Sequence, residues 1–170
     1  MATTRKIDVS VLAKIDPTYN EVDTELGVDY TFLYEALEKV KTDNVLDLTW
    51  EKIMQQKADV LDELALPRNQ NTKMLEQLQD YRFVDEHTDV EPGSYIRWIP
   101  LKDPAHVKLT NGGIVCGAKT VGPDGILHIL CRNKMGRIFQ VNLSSTLVFK
   151  KLTDEEQTIL AAIDALALNE

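Results

Sequence analysis

The sequence predicts an α+β protein: N-terminal amphipathic helices, a small antiparallel β-domain and one helix at the C-terminus. Three changes along the chain carry that expectation. Over residues 28–85 apolar side chains recur every three or four positions, the spacing of one helical face. After Pro92-Gly93 the period falls to two or to short continuous runs, the signature of strands. Beyond Thr153 the helical spacing returns.

Residues 1–27 hold Pro17 and Gly27 and no sustained period, so they read as an irregular arm with one short strand at Ile7 to Leu12. From Asp29, Phe32, Leu33, Leu37 and Val40 form a first helical stripe, with charged residues between them. A second stripe follows Thr49: Trp50, Ile53, Met54, Lys57, Val60, Leu61 and Leu64. Asp47 or Thr49 is placed to cap it, and Glu51 suits its first turn. Pro67 and the polar run Arg68-Asn69-Gln70-Asn71 end that helix. A third is expected from near Thr72, with Met74, Leu75, Leu78 and Tyr81 as its stripe. Helices this short are marginal alone, so their stripes must be buried on one another, on the β-domain or on a partner chain. Trp50, Met54, Leu61, Met74 and Leu78 are the candidate partner contacts, with ordinary core packing as the competing explanation.

Residues 86–151 predict five strands: Tyr95 to Ile99, Gly113 to Val121, Ile126 to Cys131, Ile138 to Leu143 and Thr146 to Phe149. Gly122-Pro123-Asp124-Gly125 and Asn133-Lys134-Met135-Gly136 supply glycines where tight turns need positive φ, and Ser144-Ser145 makes a corner. Pro100, Pro104 and Asn111-Gly112-Gly113 place a longer loop after the first strand. One long connection followed by tight ones suits an SH3-like small barrel, with an OB-like barrel as the alternative. Over 152–170, Thr153 and Glu156 form a capping box ahead of the stripe Ile159, Leu160, Ile163, Leu166 and Ala167, a helix expected to pack on the β-domain.

At 170 residues and 44% hydrophobic, the chain has enough apolar surface for a true core. Its longest apolar run near the C-terminus, Ile159 to Ile163, is far below the roughly 20 residues of a membrane span, so no membrane insertion is expected. Met1 to Ser10 lacks the apolar stretch of a secretory signal, which places the chain in the reducing compartment where it is made. Cys116 and Cys131 fall in separate strands without a CxxC spacing and read as buried free thiols. The net charge of -8 is uneven: residues 1–85 carry -7, residues 86–151 carry +4 and residues 152–170 carry -5. That layout suits either self-neutralisation or contact with an acidic partner.

No catalytic signature emerges. His87, His106 and His128 are too widely spaced for a compact metal site, and Asp85, Glu86, His87 and Asp89 lie in a hydrophilic linker. GxSxG, HExxH, GxxxxGK[ST] and GxGxxG do not occur, and Gly112-Gly113 leads into a strand and not a helix N-terminus. The sequence therefore predicts a non-enzymatic protein with no cofactor. Single-stranded nucleic-acid binding by the barrel is an alternative, with Arg97, Arg132, Lys134, Arg137, Lys150 and Lys151 as candidate contacts among aromatic residues. The acidic flanks oppose it. Binding an extended peptide at a sheet edge is a second alternative.

The run from Gly93 through Tyr95-Ile96-Arg97-Trp98 to Ile99, then Gly112-Gly113, Leu127 to Asn133, Phe139 to Leu143 and Leu147 to Lys151, resembles small β-domain structural proteins of nucleocytoplasmic large DNA viruses. The resemblance covers residues 93–151. It implies a virion component, such as a minor capsid protein contacting other capsid subunits or copies of itself, located in the virion or the host cytoplasm. It supplies no catalytic residue.

Overall fold

A computed structural model describes residues 48–85 and 90–168, together with one pairing of strand β1 (Val22–Asp23) and strand β2 (Val28–Asp29). The strand expected at 7–12, the helical stripe expected from Phe32 to Val40 and His87 lie outside these residues, and Asp29, the expected start of that helix, is in β2. The chain divides into two compact units, residues 54–151 and a second that joins 1–53 to 152–170, with the division falling inside helix α1 (Trp50–Asp62).

Thr49 caps α1 as its position predicts: its Oγ1 accepts from the Lys52 N–H at 3.1 Å, satisfying one of the donors every helix leaves free at its start. Ala65 ends the helix in the left-handed region, at φ 52. Helix α2 (Arg68–Gln77) begins earlier than the sequence suggests. The polar run 68–71 is its first turn and not a break, because Pro67 precedes it with helix-compatible φ and its carbonyl accepts from the N–H groups of Gln70 and Asn71. The Asn71 amide donates to Asp62 Oδ1 at 2.8 Å and ties the two helices at their turn.

Six strands form one antiparallel sheet: β3 (Tyr81–Phe83), β4 (Tyr95–Pro100), β5 (Gly113–Val121), β6 (Ile126–Arg132), β7 (Ile138–Asn142) and β8 (Thr146–Lys151), in the order β3-β8-β4-β5-β6-β7. The sheet is open, which corrects the expectation of a five-stranded barrel. The extra strand, β3, lies where the sequence predicts the tail of a helical stripe. Tyr81 instead opens a strand that pairs Tyr81 with Lys151 and Phe83 with Phe149, so the helical region ends before residue 81. Strand β8 thus has neighbours on both sides.

Alternation along β4 and β8 separates two cores. On one face Ile96, Trp98, Val115, Ile129, Cys131, Val141 and Val148 pack with Val84. The opposite face of β3, β8 and β4 supplies Tyr81, Ile99 and Phe149, covered by Leu61 from α1, Met74 and Leu78 from α2 and Leu109 from the long loop. The sheet is strongly curled. Trp98 on β4 and Phe139 on β7 lie with ring centroids 6.3 Å apart, although two strands intervene. A flat sheet would hold those strands about 14 Å apart.

The turns behave as their glycines predict, with φ of 78 at Gly122, 64 at Gly125 and 79 at Gly136. The pair Gly112-Gly113 is required by close approach: a β-carbon on Gly112 would overlap the Ile96 carbonyl oxygen, and one on Gly113 would lie 2.8 Å from the Arg132 carbonyl oxygen. In the second unit, helix α3 (Asp154–Leu168) opens with the capping box. The Thr153 N–H donates to Glu156 Oε2 at 3.0 Å, and the Glu156 N–H donates to Thr153 Oγ1 at 3.1 Å. Leu160 packs with Leu152 and Ile53, flanked by Leu48 and Trp50.

Candidate interaction surface

Helices α1 and α2 pack on the β3, β8 and β4 part of the sheet. Beyond β4, register sets the outward side chains of β5, β6 and β7 in rows: Ile114, Arg132 and Ile138; then Gly117, Leu130 and Gln140; then Lys119, His128 and Asn142. Of these, Ile114 is 51% exposed and Ile138 is 69% exposed. Met135 in the β6–β7 turn is 89% exposed, and Phe139 at the rim of the curled face is 39% exposed. Among the described residues no strand pairs with the outer edge of β7. Large apolar side chains beside an open sheet edge are the pattern of a protein-contact surface.

The surface is basic. Over β5, β6, β7 and the turns between them the only acidic residue is Asp124, while Lys119, Arg132, Lys134 and Arg137 are basic and exposed.

The candidate residues fall into distinct environments. Leu61, Met74 and Leu78 are buried in the chain's own core, Trp50 is half-buried, and Met54 is 50% exposed. Helical spacing alone cannot tell a stripe that meets its own sheet from one that meets a partner. Of the cationic candidates, Arg132, Lys134, Arg137 and Lys151 are exposed. Arg97 is engaged inside the fold: its Nε donates to the Thr110 carbonyl at 2.8 Å, its Nη1 donates to the Gln77 carbonyl at 3.2 Å, and its guanidinium lies 6.0 Å from the Tyr81 ring centroid. Lys150 is buried on the inner phase of β8.

Ile114, Met135, Ile138 and Phe139 were not picked out by sequence reading as a contact set. A signal was present: β6 is apolar in both phases, with Leu127 and Ile129 on one and Ile126 and Leu130 on the other, which a one-sided strand would not need.

The two thiols differ, correcting the expectation that both are buried. Cys131 is buried, and burial, reinforced by Cys116, pushes its thiol up to about 12. Cys116 is exposed because it is the extra residue where the β5–β6 register shifts between Val115 and Gly117. His106 is exposed and its Nδ1 lies 2.7 Å from Asp103 Oδ2. His128 is half-buried on the outer face of β6. Among the described residues no group of three or more His, Cys, Asp or Glu side chains is arranged to hold a metal, and no helix is long and apolar enough to cross a membrane.

The chain matches no family model, no curated protein and no solved structure.

Proposed function

We propose that the chain is a non-enzymatic interaction protein that contacts other protein subunits through the open half of its sheet. The observation that carries this reading is the row Ile114, Arg132 and Ile138, two exposed isoleucines flanking an arginine on the strands beyond those that α1 and α2 pack against. Arginine and large apolar residues are the side chains that dominate protein interfaces. The sequence resemblance over residues 93–151 extends the proposal to a virion component, a minor capsid protein contacting other capsid subunits.

The test is incorporation into purified particles, with the double substitution Ile114→Lys and Ile138→Lys as the probe. Both side chains are exposed, so the variant keeps the thermal melting of the unaltered chain. The proposal expects the unaltered chain in the particles and the variant depleted from them. A chain absent from particles removes the virion assignment, and equal incorporation of the variant removes the surface assignment.

One observation favours a second reading: Arg132, Lys134 and Arg137 are exposed together around the β6–β7 turn. Single-stranded nucleic acid is the ligand such a cluster would take. Binding to a thymidine oligonucleotide that falls steeply between roughly 50 and 200 mM salt would establish this reading.

A further inference from the structure

We infer that β7 is a self-association edge, on which a second copy of the chain adds its own β7 antiparallel to form a continuous twelve-stranded sheet. The inference rests on the interaction reading above and names one partner for it.

The two edges of the sheet are built differently. Strand β3 has three residues, carries the buried cation Arg82 and is bracketed by Asp80 and Asp85. Shortness, flanking charge and an inward-pointing charge are the devices by which edge strands resist pairing. Strand β7 is longer and carries no charge within it, with Arg137 as its one charged neighbour in sequence. Its five residues, Ile138–Asn142, include no charge, no proline and no glycine, and its ladder with β6 runs from Ile138 to Asn142 without a bulge.

The composition of β7 selects a copy of itself as occupant. With Gln140 placed opposite Gln140 of the second copy, Phe139 falls opposite Val141 twice on the inner face, and Ile138 falls opposite Asn142 twice on the outer face. An aromatic beside a β-branched residue is a favourable cross-strand pair. The glutamines can bond amide to amide. Arg137, the nearest cation, falls opposite Leu143, so no like charges meet across the junction. An acidic or basic strand would find no charge on β7 itself to pair with. A five-residue edge is a small contact, so the association is weak, with a dissociation constant on the order of micromolar or above.

Sedimentation equilibrium of the full chain, with Gln140→Lys and Gln140→Glu, tests the register directly. The unaltered chain is expected to dimerise with rising concentration. Each variant alone places two like charges opposite each other and remains monomeric, while an equimolar mixture of the two recovers the dimer. Gln140 is exposed, so melting curves should coincide for all three chains. A chain that stays monomeric throughout, a dimer that persists in both variants, or a mixture that fails to recover it overturns the inference. Particle incorporation is read separately, so a monomer that still enters particles sinks this pairing and leaves the interaction reading intact.

Discussion

The Lys57 ammonium, buried within the helical layer, donates to the carbonyl oxygen of Leu78 at 2.8 Å and to that of Gln79 at 3.3 Å. Leu78 is the last capping position of α2, where carbonyls lack partners within the helix, so a cation from α1 closes the end of its neighbour. This contact couples the two helices through chemistry that an apolar stripe would not reveal.

Removing that contact should be costly. Lys57→Ala deletes a packed stem and takes the ammonium away from two carbonyls, of which that of Leu78 keeps the Tyr81 N–H, with an expected loss of about 3 kcal/mol in urea unfolding. The pH dependence has a definite sign. Burial lowers the Lys57 pKa, with Asp80 opposing, so between the lowered value and the ordinary 10.5 the unfolded chain holds a proton that the folded chain has released. Stability from this group therefore rises with pH across that window. Comparing the unaltered chain with Lys57→Met, which keeps much of the stem, should show the difference moving in favour of lysine as pH rises toward 10.5. A difference that does not vary with pH would contradict this account.

The capping box on α3 makes a smaller prediction. Thr153→Ala removes the acceptor for the Glu156 N–H and should cost about 1 kcal/mol, lowering the melting temperature by roughly 2–4 °C. Thr153→Ser should recover most of that loss.

Asp164 has its carboxyl pKa raised, first by burial and then by the nearby Glu51. A raised acid destabilises the fold while ionised in both states, and the deficit disappears as pH falls through the folded value. Asp164→Asn should therefore raise the melting temperature at neutral pH, and the gain should vanish on acidification. Calorimetry at about pH 7 and about pH 3 would check both limbs.

Thiol labelling distinguishes the two cysteines. Ellman's reagent should modify Cys116 in the native protein and reach Cys131 only after denaturation, since the buried thiol stays protonated well above neutral pH. Two rapidly reacting thiols in the native state would contradict the placement of Cys131 in the inner core.

Gly112→Ala tests the close approach at the base of the long loop. The position has φ 87, and the added methyl would press on the Ile96 carbonyl and on the side chains of Arg97 and Tyr95. Strain and overlap together should cost more than about 2 kcal/mol, seen as a shifted urea midpoint with an unchanged slope.

Much of the β-domain was legible because its punctuation is explicit: glycines at 122, 125 and 136 mark turns, and Gly113–Val121 begins and ends where the sequence predicts. Strand β3 was not, because three residues are too few to display a period and Tyr81 continues the spacing of Met74 and Leu78. The beginning of α2 was hidden for a related reason: Arg68 and Asn69 are exposed, Gln70 and Asn71 donate their amides to Val107 and Asp62, and polarity there imitates a loop. Exposure of Ile114 and Ile138 depends on which strands the helices cover, a tertiary fact that strand alternation does not encode. Lys57 alone among these carried a usable sequence sign, as a charged residue at an apolar position of its stripe.

The position of β8 has a consequence for how the molecule is made. It is the last strand to be synthesised, yet it sits between β3 and β4 and joins the earliest strand of this sheet to the rest. Until Thr146 to Lys151 emerges, β3 has no neighbour to pair with and the helical layer lacks Phe149 to close on. Pairing Tyr81 with Lys151 closes a long loop late, which makes folding slow and leaves β4 to β7 waiting as an incomplete meander. A chain stopped before residue 146 would thus give no smaller version of this sheet, but two pieces without the strand that unites them.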